Sequence, residues 1–131
     1  MTRLPITTAL ILAALSFGAA PAQAGDAAAG EKVFNKCKAC HQVGETAKNR
    51  VGPVLNGIVG RAAGSVEGFK YSDALSGSGL TWDEATLAAF LTDPKATVPG
   101  NKMAFPGLRK DAEIADVIAF LASHNADGTR Q

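Results

Sequence analysis

Cysteine, histidine, tryptophan and tyrosine are scarce in this sequence: two, two, one and one among 131 residues. Two cysteines cannot form a framework of several disulfides. Charge of one sign is lacking too. Thirteen Lys and Arg stand against twelve Asp and Glu, and without Arg3 the two balance, so there is no bulk attraction to nucleic acid. No segment of useful length alternates apolar and polar residues as a half-buried strand does. Nothing after residue 24 is apolar enough to span a bilayer. Repeats are absent, and the only biased tract is the Ala-rich start.

That start, MTRLPITTALILAALSFGAAPAQA, has one positive charge at Arg3, an apolar run from Ile6 to Phe17, and small residues ending Ala22-Gln23-Ala24. This is the plan of a secretory signal peptide, with cleavage expected after Ala24. As an anchor the run is too short, since spanning takes roughly 18 apolar residues or more. Residues 1–24 are therefore expected to be removed, leaving residues 25–131 as a single small domain in the periplasm. A domain of that size has a modest core, and exported proteins this small often depend on a disulfide, a metal or a bulky cofactor.

Three segments carry a helical period. The first is expected to start at an N-cap, Asp26, to align Gly30, Val33, Phe34 and Cys37, and to end near Ala39. The second opens with TWDE, in which Thr81 and Glu84 have capping-box spacing, and would bury Leu87, Phe90 and Leu91 before stopping ahead of Pro94. The third starts near Asp111 and aligns Ile114, Val117, Ile118 and Leu121, fraying by Asn125 to Gly128. A short helical turn is expected around Ser72 to Leu75. The fold class is all-α. About 40 residues without a long helix separate the first two segments, an unusual length for a small domain, so something must fill the space they enclose.

Both cysteines fall in CKACH, residues 37 to 41. Structural zinc normally takes four ligands, and beyond this motif only His124 and carboxylates remain. A thioredoxin-like pair would open a helix after a strand, where the helix N-terminus lowers a thiol pKa; here the pair ends a helix. A plain disulfide beside a bystander histidine would leave His41 unexplained. Covalent attachment of haem uses all three residues: two thiols add to the porphyrin vinyl groups and the adjacent histidine ligates iron. A large apolar macrocycle would also supply the core that long loops need.

Iron then has a second axial position, for which Met103, His124 and lysines such as Lys102 are candidates. Methionine is usually core filler on a helix stripe. Met103 instead lies in PGNKMAFP, a loop bounded by Pro99 and Pro106. His124 sits in the last turn of the third helix, where imidazole ordinarily complements the helix dipole.

With CKACH, GPVLNGIVGR, YSDA, TWDE and PGNKMAFPG in this order, the sequence resembles the class I cytochromes c, both the mitochondrial protein and the short bacterial kind, from Gly25 to about Asn125. The resemblance implies a cytochrome c fold: about three main helices, short helical turns and long loops wrapped around one covalently attached haem c, with Gly30, Phe34 and Phe120 where first and last helices cross. It implies that Cys37 and Cys40 hold the haem and that His41 and Met103 are its axial iron ligands. Pro53 would offer its carbonyl to the His41 ring N–H. Arg61, Tyr71 and Trp82 would surround the haem propionates, and Phe105 would cover the methionine side of the haem edge. Three positions depart from the mitochondrial pattern: Phe90 replaces a tyrosine near the methionine sulfur, Asn101 a threonine, and Leu75 a polar residue. The ligand set is unaffected; the potential and the internal water network are where these changes would act.

His/Met ligation saturates iron, and a soft thioether favours the ferrous state. The expected function is a one-electron carrier and not an enzyme; a peroxidase or gas-binding protein would need the Met103 side open, and a thiol oxidoreductase would need Cys37 and Cys40 free. Lys36, Lys38, Lys48 and Arg50 flank one candidate ligand, and Lys95, Lys102, Arg109 and Lys110 the other, while acids gather at Asp83, Glu84, Asp93, Asp111, Glu113 and Asp116. A solvated surface is the ordinary reading of such charges. Their placement beside both ligands makes a dipole that would steer a monomer toward acidic docking faces. Partners of that kind are a quinol-oxidising cytochrome bc complex, a cytochrome oxidase, a photosynthetic reaction centre or a periplasmic dehydrogenase.

Overall fold

The computed structural model describes residues 25–131, so the leader expected over residues 1–24 lies outside the described residues. Helix α1 spans Ala27–Phe34. Asp26 caps it as expected, its carboxylate accepting from the N–H groups of Ala28 and Ala29 at 2.8 and 3.2 Å. The helix does not reach Ala39. After Phe34 the chain tightens into turns, with Cys37 N–H donating to Phe34 O at 2.8 Å and Cys40 N–H to Cys37 O at 3.1 Å. An apolar stripe cannot separate a last α-turn from such three-residue turns, and that is why the expected end was too late.

Helix α2, Asp73–Ser76, is capped by Ser72, matching the expected short turn. Helix α3, Glu84–Thr92, has a different cap from the one expected. Asp83, not Thr81, accepts from Thr86 N–H at 2.7 Å; Thr81 is held in an isolated bridge to Ala62. The carboxylate sits nearer the helix start and is the stronger acceptor. Leu87 and Phe90 are buried, whereas Leu91 is only half-buried. Pro94 both ends α3 and opens α4, Pro94–Thr97, as its first residue, with Asp93 as cap. That short helix had no signal in the periodicity. Helix α5 spans Asp111–Ala122 and buries Ile114, Val117, Ile118 and Leu121, together with Phe120.

The frame is the crossing of α1 and α5. A Cβ on Gly30 would overlap the Asp116 carbonyl, so only glycine lets the backbones approach this closely. Phe34 and Phe120 fill the crossing with ring centroids 5.1 Å apart. Asp26 N–H donates to the Asp116 carboxylate at 2.8 Å, and Lys36 pairs with Glu113 at 3.3 Å. Trp82, Leu87, Phe90, Val98 and Leu108 extend this core.

The long segment between α1 and α2 is ordered by side chains in place of a ladder. Asn56 is bonded to Gly44 in both directions, at 2.8 and 2.9 Å. Asn49 accepts from Val54 N–H at 2.9 Å, and Gln42 from Lys48 N–H at 3.0 Å. Amides with both donors and acceptors can thus satisfy a backbone that makes no regular structure. Among the described residues there is no strand beyond two isolated bridges, Ala62 to Thr81 and His124 to Arg130. Nor is any helix there long and apolar enough to cross a membrane.

Candidate functional site

The turns after α1 present CKACH. Cys37 and Cys40 are both free and half-buried. Burial pushes the Cys37 thiol up, the neighbouring Cys40 adds to this, and Lys36 opposes both. A protonated thiol is the reverse of what a redox-active thiolate pair requires.

His41 follows, with Nδ1 2.8 Å from the Pro53 carbonyl oxygen. A carbonyl can only accept, so Nδ1 carries the proton and donates, which leaves the Nε2 lone pair free. Burial lowers the His41 pKa and the Pro53 bond offsets only part of that, so the ring is neutral at pH 7. A neutral imidazole fixed in this tautomer is ready to ligate a metal. Gly52, buried beside it, donates its N–H to Cys40 O at 2.9 Å. Sequence reasoning identified Pro53 but missed Gly52, whose signal was the Gly-Pro dipeptide of RVGPVL.

The loop after α4 carries Met103 and Phe105, both half-buried and packed against the core. Asn101 organises it. Its Nδ2 donates to Pro94 O and Val98 O at 2.9 and 2.8 Å, and its Oδ1 accepts from Met103 N–H at 2.9 Å. Lys102 is exposed. His124 is otherwise engaged: it is buried, its Nδ1 lies 3.0 Å from Phe120 O, and its ring meets Phe120 edge-on at 4.8 Å.

Arg61 and Trp82 are brought together by the backbone, Trp82 N–H donating to Arg61 O at 2.8 Å and Gly60 N–H to Trp82 O at 2.7 Å. The Arg61 guanidinium donates to Asn56 O at 2.8 Å and to Val54 O at 3.2 Å. Its Nε is buried without a partner. Burial presses its pKa down, and Tyr71 acts in the other direction. The Tyr71 hydroxyl accepts from Val66 N–H at 3.0 Å and keeps its own proton to donate. An orphaned cationic donor with a free hydroxyl nearby suits an anionic oxygen ligand. Leu55, Val59, Ala63, Ala74, Leu75 and Leu80 pack on the core yet stay half-covered.

These parts fit a haem: two free thiols, an imidazole with its lone pair available, a half-buried thioether, unsatisfied donors for carboxylates and incompletely covered apolar side chains. A groove between α3 and α5, lined by Ala88, Ala89, Ile118 and Ala119, carries none of these groups. A family model described as Cytochrome c matches residues 27–125.

The chain belongs to the class I c-type cytochromes.

The cytochrome c2 of Rhodomicrobium vannielii is 58% identical over 120 residues, covering 92% of this chain and 96% of that one. The cytochrome c2 of Rhodoblastus acidophilus is 55% identical over 107 residues, 82% of this chain and 100% of that one. Among solved structures, cytochrome cH from Methylobacterium extorquens superposes with a TM-score of 0.70 at 55% identity, covering 74% of this chain and 97% of that one. This cytochrome therefore has the all-α cytochrome c fold and carries one covalently attached haem c. As a member of that family it is an electron carrier and not an enzyme, and electron transfer requires redox partners.

Proposed function

We propose that this cytochrome is a soluble periplasmic one-electron shuttle whose haem is attached through Cys37 and Cys40 and ligated by His41 and Met103. The single observation that carries this is the 2.8 Å contact of His41 Nδ1 with the Pro53 carbonyl, which leaves Nε2 available directly after the two thiols. When bound, the haem supplies the ferric–ferrous couple, which the thioether biases toward the ferrous state. Arg61, Tyr71 and Trp82 would hold the propionates and keep their charge satisfied away from water. Phe105 would cover the methionine-side edge, and Pro53 holds the His41 tautomer.

Removal of residues 1–24 is part of the same proposal. It is supported by the pattern of the leader, a positive charge, an apolar run too short to span a bilayer and small residues ending at Ala24. Donors and acceptors are proposed from charge. Lys38, Lys48, Arg50, Lys95, Lys102, Arg109 and Lys110 are all exposed, whereas several acids are occupied as helix caps or in first helical turns. An acidic docking face on a quinol-oxidising bc complex is the proposed donor. The proposed acceptor is an oxidase or photosynthetic reaction centre, and a periplasmic dehydrogenase is the other candidate source of electrons.

The test is turnover of the reduced and oxidised protein with membranes bearing each complex, across ionic strength. Fast exchange that slows as salt rises is expected. Exchange with none of the complexes, or rates indifferent to salt, would remove this assignment of partners.

A further inference from the structure

We propose that Asn101 is a positioning residue for Met103: its side chain ties the Met103 backbone to α4 and sets how readily the thioether leaves the iron. This rests on the reading of Met103 as an axial ligand. Asparagine offers two donors and an acceptor on one planar group. Here the amide nitrogen joins the first residue of α4, Pro94, to its C-cap, Val98, while the oxygen holds Met103 N–H two residues ahead. Pro94 is among the most deeply buried side chains, so the far end of this brace is fixed.

Beyond Asn101 the loop has little else. Among the described residues, no other hydrogen bond reaches the backbone of residues 102–107; the next anchor is Leu108 N–H to Leu91 O at 2.7 Å. Segments with few backbone bonds open locally at low cost. The Asn101 bond therefore governs the opening that would carry Met103 away. A threonine, with one hydroxyl, cannot serve two carbonyls and an amide together, so asparagine here makes a different brace from the residue usual in the mitochondrial pattern.

Imidazole binding to the ferric protein reads this opening, because the external ligand enters only when Met103 leaves. Asn101→Ala should bind imidazole about ten- to a hundredfold more tightly than the unaltered protein, the effect of losing one or two hydrogen bonds, with haem still covalently attached. Asn101→Asp keeps the acceptor for Met103 N–H but loses both donors, and should fall between. If Asn101→Ala fails to fold, Asn101→Asp alone still has to tighten binding several-fold. Asn56→Ala is the control: it removes a buried amide that bonds Gly44 and no part of the Met103 loop, and should lower the unfolding midpoint without tightening imidazole binding. Equal loss of stability in Asn101 and Asn56 variants with unchanged imidazole affinity would make Asn101 an ordinary structural residue and overturn the proposal. If instead the unaltered protein lacks a sulfur-to-iron absorption band and binds imidazole freely, the Met103 reading itself fails, recognisably, before any variant is compared.

Discussion

Gly52 lies flat against His41: a Cβ added there would sit 2.7 Å from Nδ1 and 2.8 Å from Nε2 of the imidazole. The close approach has a purpose in the geometry. Gly52 is bonded to Cys40 O at 2.9 Å, and the next residue delivers its carbonyl to His41 Nδ1 at 2.8 Å. The attachment turn and the loop that orients the histidine are thereby held as one unit.

Gly52→Ala should push the ring aside and break its bond to Pro53. Overpacking of this kind costs about 1–3 kcal/mol, and the displaced group is the proposed iron ligand. The expected outcome is a lower yield of haem-bearing protein and an altered Soret spectrum in what remains. A normal yield with an unchanged spectrum would show that the ring has room the structure does not give it.

Gly30→Ala tests the helix crossing. Alanine is the better helix former by about 1 kcal/mol, yet its methyl would overlap the Asp116 carbonyl and lie 2.8 Å from Phe120 Cβ. Steric overlap with backbone wins, so a net loss of roughly 2 kcal/mol or more is expected in denaturant unfolding. A stabilised variant would contradict the crossing described here.

Acid stability carries a signature of Asp83. Its hydrogen bonds to Thr86 hold its pKa below the ordinary 3.8. A depressed carboxylate stabilises the fold above its unfolded pKa, and that contribution is withdrawn as pH falls through the lower folded value. Asp83→Asn keeps the cap oxygen and removes the titration. Compared by unfolding at successive pH values, the difference between the two proteins should stay constant from pH 7 to about 5 and change only below about 4.

Charge reversal should separate free from engaged cations. Lys36 is paired with Glu113 at 3.3 Å, whereas Lys48 and Lys95 have no such partner among the described residues. Lys48→Glu and Lys95→Glu should slow association with an acidic partner at low salt roughly tenfold each. Lys36→Glu should slow it less and cost some stability through repulsion with Glu113. Stopped-flow reduction across ionic strength measures both.

The family and its haem were legible in the sequence because reactive residues are rare in it, and the same rarity is what singles out the proposed ligands. CKACH uses both cysteines and one of two histidines, and Met103 stood out by lying in a loop. Helix α5 was legible because its stripe is continuous. Thr81 was less so: capping-box spacing favoured it, but the bridge to Ala62 draws its backbone away and leaves the cap to Asp83. The end of α1 and the existence of α4 were hidden by their shortness, since a single turn has no period to read. Asn49, Asn56 and Asn101 gave no pattern either. Each bonds backbone that is distant or irregular, so its role exists only once the loops are folded.

Optical titration of the oxidised protein in the far red, alongside Met103→Ala, decides whether sulfur ligates the iron. A weak sulfur-to-iron band is expected in the unaltered protein at neutral pH. In Met103→Ala it should vanish and the potential should fall, while haem staining after denaturing electrophoresis persists through Cys37 and Cys40. An unaltered protein without the band whose reduced haem readily takes carbon monoxide, or a Met103→Ala variant with band and potential unchanged, would contradict the account.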